Sequence, residues 1–227
     1  MKKYDTVIFD LDGTLLNTLE DLRDSVNYAL QCEGLPLCSM EKVRMSVGNG
    51  IRRLMELAVP GGTEYPRFEE VFETFRSHYG AHCNDKTAPY PHIMELLAVL
   101  RENGYKMAIV SNKYYDGVQE LKRLYFDDYI SVAIGEKEGI RKKPAPDTVL
   151  AALQELGSSK EASIYVGDSE VDIATAANAG MDCIAVAWGF RTREEQERAG
   201  AMVFADDPLD LLELIGTHVI NISRSPK

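Results

Sequence analysis

The sequence predicts an α/β fold, a Rossmann-like parallel sheet with helices on both faces, into which an all-α domain is inserted. Three observations lead there. Four short apolar runs rich in β-branched residues read as strands buried on both faces, since a strand covered by helices shows no polar alternation. Helical patterns lie between the later runs, and strands alternating with helices imply right-handed crossovers within one sheet. From about residue 17 to 86, by contrast, there are several helical patterns and no convincing strand.

The first strand is Tyr4-Asp5-Thr6-Val7-Ile8-Phe9, which stops at Asp10. A helix follows with Leu19, Leu22, Val26, Ala29 and Leu30 as its apolar stripe and Thr18 in position to cap it. Gly34-Leu35-Pro36 and Pro60-Gly61-Gly62 separate further helical patterns over Glu41 to Val47, Ile51 to Ala58 and Phe68 to Tyr79. Pro89-Tyr90-Pro91 stiffens the exit from this region, and the next helix starts near His92, with Ile93, Leu96, Leu97 and Leu100 at helical spacing. Then come a strand over Lys106 to Val110, a helix carrying Val149, Ala152, Leu153 and Leu156, and strands over Ala162 to Val166 and Asp182 to Ala187. The expected organisation is a core domain of residues 1–16 and 87–227 and an inserted helical domain of residues 17–86. The tail after Gly216 is expected to fray.

Lys and Arg number 25 against 36 Asp and Glu, a net charge of −11, and the longest basic run is Arg141-Lys142-Lys143. This disfavours a general nucleic-acid binder, which needs clustered cations to displace counterions. The 45% hydrophobic and 27% charged content is that of a globular chain. With no apolar signal segment at the N-terminus and no stretch long enough to span a bilayer, the expectation is a cytoplasmic protein without membrane partners. Monomer and homodimer both stay open. Cys32, Cys38, Cys83 and Cys183 form no C-x-x-C pair, which argues for reduced, structural thiols. His78 and His82 are four apart, but Tyr79 stands where a zinc helix would have Glu, so a solvated helix end is expected.

Asp10-Leu11-Asp12-Gly13-Thr14 directly follows the first strand, so its carboxylates sit at the edge of the sheet where open α/β folds bind ligands. An EF-hand loop would need Gly at the sixth position, which is Leu15. Ser111 and Asn112 follow the second strand; Lys143 precedes Pro144 at the start of a helix, where a cation opposes the helix dipole unless an anion binds nearby. Gly167-Asp168-Ser169-Glu170-Val171-Asp172 follows the third strand, with Asp168 and Asp172 spaced to face one way on a helical turn. Each element alone is ordinary turn chemistry. Together they converge on one crevice, and four carboxylates there are prohibitive without a cation, for which Mg²⁺ with oxygen ligands is suited.

With these four elements in order, the sequence resembles the haloacid dehalogenase-like superfamily of phosphotransferases over nearly its whole length. The resemblance implies that Asp10 is a nucleophile forming an aspartyl-phosphate. Asp12 would protonate the leaving oxygen and then activate water. Ser111, Asn112 and Lys143 would bind phosphoryl oxygens, and Asp10, Asp12 through its backbone carbonyl, Asp168 and Asp172 would hold Mg²⁺. The dehalogenases lack the second Asp, so Asp12 argues for phosphate transfer. The helical insertion corresponds to the family's mobile cap, and Val47-Gly48-Asn49-Gly50-Ile51-Arg52-Arg53-Leu54 is similar to the substrate loop of its phosphoglycolate phosphatase subgroup. Thr14, Gly50, Arg52 and Arg53 therefore join Asn112 as substrate-binding candidates; an anionic ligand would also relieve the two arginines, which lie in the first turn of a helix. Asn17 and His92 stand where the family usually has Asp and Gly, at hinge positions.

The expected function is a Mg²⁺-dependent phosphatase acting on a small acidic phosphate monoester such as phosphoglycolate. A sugar-phosphate mutase similar to β-phosphoglucomutase and a pyrophosphatase are the alternative enzymes. A phospho-Asp signalling receiver shares the carboxylates, Mg²⁺, hydroxyl and Lys, but is shorter and needs neither a cap nor Asp12.

Overall fold

The structure is a computed structural model that describes residues 3–216, so the expected fraying after Gly216 lies outside the described residues. In chain order it contains β1 (Thr6–Phe9), β2 (Leu16–Asn17), α1 (Leu19–Cys32), α2 (Met40–Ser46), α3 (Ile51–Ala58), α4 (Phe68–His82), β3 (Ala88–Pro89) and α5 (Ile93–Glu102). There follow β4 (Lys106–Tyr114), α6 (Tyr115–Leu121), β5 (Val132–Glu136), α7 (Asp147–Leu156), β6 (Ser163–Gly167), α8 (Glu170–Ala179), β7 (Asp182–Val186), α9 (Arg193–Arg198), β8 (Phe204–Ala205) and α10 (Asp210–Leu214).

Six strands form a sheet in the order β5-β4-β1-β6-β7-β8, every neighbouring pair parallel. Successive side chains of a strand point to opposite faces. Val7 and Phe9 pack with Met107, Ile109, Ile164 and Val166 against α5 and α10, whereas Ile8, Ala108, Val110 and Tyr165 pack against α7 and α8. Burial on both faces is why these strands show no polar alternation, and each large aliphatic side chain so buried stabilises the fold by about 1.5–3 kcal/mol. Helices α1 to α4 bury a separate cluster, including Leu22, Val26, Leu30, Leu54, Met55, Phe75 and Tyr79.

The chain passes between the sheet and this helical layer twice. The passages pair antiparallel as β2 and β3. The buried Asp21 carboxylate ties them further, accepting the backbone N–H of Lys86 and both the N–H and hydroxyl of Thr87.

Several local expectations need correction. The sheet has two strands the sequence did not announce, β5 and β8, both at its edges. Val132-Ala133-Ile134-Gly135-Glu136 has two β-branched residues and a Gly, and β8 is two residues long, so their pairing comes from neighbours rather than propensity. Strand β4 runs on to Tyr114 instead of ending at Val110, with an irregular register between the two, so Ser111 and Asn112 lie inside the strand. Thr18 occupies the N-cap of α1 without capping it: its hydroxyl is buried and unpartnered, and the neighbouring Asn17 side chain accepts the Leu19 N–H instead. His78 is half-buried rather than solvated, stacked between Tyr28 and His82 and bonded through Nδ1 to the Ser25 hydroxyl. His92 takes a left-handed φ of 66° and pairs with Asp207. Among the described residues no helix is long and apolar enough to cross a membrane.

Candidate active site

The chain leaves β1 for β4 and β5 on one side, then returns to β6 on the other, so the strand order reverses beside β1. At such a point the connections diverge and leave a crevice outside the carboxyl ends of the strands. Asp10 follows β1 and Asp168 follows β6, and with Asp172 of α8 they bring carboxylate oxygens within 4.8 Å of one another, all three buried. The buried Lys143 Nζ donates to Asp10 Oδ1 and to Asp172 Oδ1, each at 2.7 Å, and to the Tyr165 hydroxyl at 3.1 Å.

Three carboxylates face one ammonium, and the titration of Asp10 and Asp168 reflects it. Burial, and after it the Asp172 charge, pushes Asp10 well above the usual carboxylate range, with Lys143 only partly opposing. The same two causes push Asp168 up to about 7, although the Phe190 N–H donates to its Oδ2 at 2.6 Å. Burial alone would lower Lys143; the Asp10 and Asp172 charges outweigh it and hold the ammonium well above its ordinary value.

Local sequence explains the placement. Gly13 adopts φ 91° with the Asp168 carboxylate against its Cα, so any side chain there would collide with Asp168. Ser169 caps α8 by accepting the Asp172 N–H, while Asp172 Oδ2 accepts the Ser169 N–H and hydroxyl. This capping box means Asp172 also serves its own helix. Helix α7 starts at Asp147 with Pro146 at its N-cap, so Lys143 precedes the helix by four residues rather than standing at its start. Asn112 positions it instead, accepting the Lys143 N–H at 2.8 Å and donating to the Lys143 carbonyl and the Gly48 carbonyl at 3.0 Å each.

Of the residues singled out in the sequence, Asp10, Asp12, Gly50, Ser111, Asn112, Lys143 and Asp168 line one cavity between the sheet edge and the helical layer. Asp172 lies behind Lys143. The Asp12 carboxylate stands apart from the acidic cluster, 3.5 Å from Lys113 Nζ. Thr14 does not line the cavity; its hydroxyl lies 3.5 Å from Asp168 Oδ1 and its carbonyl accepts the Trp188 indole N–H. Arg52 and Arg53 do not line it either. Ile51 and Leu54, one helical turn apart, take the inner face of α3, which leaves the arginines outside. Arg52 binds Glu69 (Nη1 to Oε2, 3.1 Å) over the rings of Phe68 and Phe72, and Arg53 binds Glu56 at 3.0 Å. Their conflict with the helix dipole is thus relieved by protein carboxylates.

Sequence reasoning missed four wall residues, Tyr79, Lys113, Phe190 and Arg191. Lys113 lies two residues beyond Ser111, but the sequence ends that strand at Val110, so its place inside β4 had no readable signal. Phe190 and Arg191 had none: they arrive on the loop after β7. Arg191 donates to the Arg44 and Val47 carbonyls of the helical layer and to Glu170.

The chain matches, over residues 7–186, the family described as haloacid dehalogenase-like hydrolase. It belongs to that family. Phosphoglycolate phosphatases of Aquifex aeolicus and Pectobacterium atrosepticum are 31% and 33% identical to this haloacid dehalogenase-like hydrolase, over 94% and 96% of its chain and 98% and 94% of theirs. A crystal structure from Lactobacillus delbrueckii subsp. bulgaricus, provisionally titled a phosphoglycolate phosphatase, superposes with a TM-score of 0.89 at 37% identity, covering 95% of this chain and 99% of the other. The chain is a phosphoric monoester hydrolase.

Proposed function

We propose that this phosphatase is Mg²⁺-dependent and hydrolyses small acidic phosphate monoesters of the phosphoglycolate type through an aspartyl-phosphate on Asp10. The observation that carries the reading is the placement of Asp10, Asp12, Ser111 and Lys143 on one cavity. The substrate class is supported by the names of the relatives.

A divalent cation fits the donor set: three buried carboxylates against a single ammonium leave surplus negative charge that is costly without one. Asp10 and Asp168 would hold it, with Asp172 beside them, and when bound it supplies charge that stabilises the phosphoryl oxygens. Because Asp168 titrates near 7, protons compete with the metal at that oxygen. Below pH 7 binding must displace a proton; above it the carboxylate is already ionised. The rise in melting temperature on adding Mg²⁺ should therefore grow steadily from pH 5.5 to 8, and a Mg²⁺ increment independent of pH would exclude Asp168 as a ligand.

In the first step Asp10 attacks phosphorus while Asp12 gives its proton to the departing alcohol oxygen. In the second Asp12 takes a proton from the water that attacks the aspartyl-phosphate. Lys143 and the Ser111 hydroxyl hold the phosphoryl oxygens. Residues 17–86 act as a cap, closing the cavity with Leu22, Ile51, Leu54 and Tyr79, and substrate enters when the helical layer moves outward about β2 and β3.

Asp12→Asn tests the mechanism. With an alkyl ester, whose alkoxide needs a proton, the variant should lose about 10²–10⁴-fold in turnover. With p-nitrophenyl phosphate, whose leaving group needs none, it should release a burst of nitrophenol, then turn over slowly with phosphoenzyme accumulating. Equal losses on both esters, with no burst and no trapped phosphoenzyme, would give Asp12 a structural role.

A further inference from the structure

Three cationic side chains line the cavity, Lys113, Lys143 and Arg191. Two are spent. Lys143 binds Asp10, Asp172 and Tyr165, and Arg191 binds Glu170 and two backbone carbonyls. Lys113 is different: it is buried to 5% exposure, donates to the Tyr79 hydroxyl, and reaches its one carboxylate, Asp12, only at 3.5 Å. Its third N–H has no partner among the described residues. Since the Tyr79 oxygen accepts from Lys113, its own O–H proton is also left to donate, and no acceptor for it stands among the described residues. Tyr79 is buried to 1% exposure. Two unused donors stand side by side on the wall of the cavity, and buried donors call for an acceptor, here an anion.

The position of the pair says which anion. Lys113 stands beyond Asp12, toward the helical layer, while the phosphoryl-binding groups gather around Asp10. The wall on that side is completed by Leu22, Ile51 and Leu54. Apolar walls with one cation suit a short carbon chain ending in a negative group. They do not suit a sugar, whose several hydroxyls would each need a partner. We propose that Lys113, assisted by the Tyr79 hydroxyl, binds a carboxylate carried by the leaving alcohol, so that the enzyme selects phosphate esters of small hydroxy acids. Burial works against the charge of Lys113, but the Asp12 carboxylate and the Tyr79 oxygen hold it above its ordinary value, and burial likewise keeps the Tyr79 phenol protonated. Both groups are therefore donors at neutral pH. The subsite rests on the phosphatase reading above and assigns its specificity to strand β4 and helix α4, in place of Arg52 and Arg53.

The test compares kcat/KM for 2-phosphoglycolate with that for 2-phosphoglycolamide, in which a neutral amide replaces the carboxylate, using the full chain with Mg²⁺. The wild type should favour the carboxylate by about 100-fold, and Lys113→Met should shrink that ratio by about 30-fold or more, chiefly through KM. The ratio cancels any loss common to both esters. Tyr79→Phe should shrink it by about three- to tenfold, and carries the test if Lys113→Met fails to fold. An unchanged ratio in the variants would make Lys113 a positioning partner of Asp12 and overturn the proposal. A wild type that hydrolyses both esters without preference would also overturn it, while leaving the phosphatase reading intact. Release of no phosphate from either ester or from p-nitrophenyl phosphate would sink both.

Discussion

Asp10→Asn is expected to lower kcat by at least about a thousandfold on every phosphate ester, since an amide is a poor nucleophile toward phosphorus and a weaker metal ligand. The same variant should not be less stable in metal-free buffer. Asn matches Asp in size, and the change removes one of three clustered negative charges. Burial and Asp172 raise Asp10 above its unfolded value, so its ionised form costs the folded state stability as pH rises above the ordinary carboxylate range. Lys143 keeps its second partner, Asp172, at 2.7 Å. Thermal unfolding in EDTA at pH 8 should therefore give a melting temperature equal to or above that of the wild type, and acid quenching should trap no phosphoenzyme. Turnover within about tenfold of the wild type would remove Asp10 as the nucleophile. A collapse in stability would mean that the lost activity reports folding instead.

Lys143→Met should do the opposite to stability and a similar thing to activity. Removing the ammonium leaves Asp10, Asp168 and Asp172 facing one another without a cation, and breaking a buried ion pair from one side costs about 3–5 kcal/mol. The deficit has a definite pH dependence. At pH 5.5 the Asp10 and Asp168 carboxyls, already raised, stay protonated and repel little; by pH 8 they must ionise, so the melting temperature of the variant should fall relative to the wild type across that range. Mg²⁺ should restore part of it. Activity should drop by about 10²–10³-fold for carboxylate, amide and aryl esters alike, because the partner proposed for Lys143 is the phosphoryl group they share. A loss confined to carboxylate esters would transfer the specificity assigned to Lys113 to this lysine.

The two lysines show how far local pattern carries. Lys143 was singled out as a cation near a helix start that converges with the strand-end carboxylates on one crevice; the helix begins four residues later, and Asp10 and Asp172 supply the paired charge. Lys113 is within the same nine-residue strand as Ser111, yet a Lys late in an apparent turn reads as solvated. Only the continuation of β4 to Tyr114, under the cover of α4, makes it a buried group. The arginines of α3 failed for the converse reason. Their spacing in the sequence was read correctly as helical, but which way the helix faces depends on Ile51 and Leu54 packing inward and on Glu69 arriving from α4.

The sequence by itself determined the α/β class, the four strands nearest the centre of the sheet, the helical interruption after Asp10, and most of the acidic, hydroxyl and cationic residues that meet at the edge of the cavity. These are carried by short-range patterns: apolar runs, helical spacing, and polar residues that directly follow a strand. The tertiary structure alone decided the edge strands, the saturation of Asn112 and Asp172 by hydrogen bonds, the outward turn of Arg52 and Arg53, and the meeting of Lys113 with Tyr79 across 34 positions of chain. Contacts between distant segments depend on how layers pack, and burial, which sets the cost and charge state of each ionisable group, exists only once they have packed.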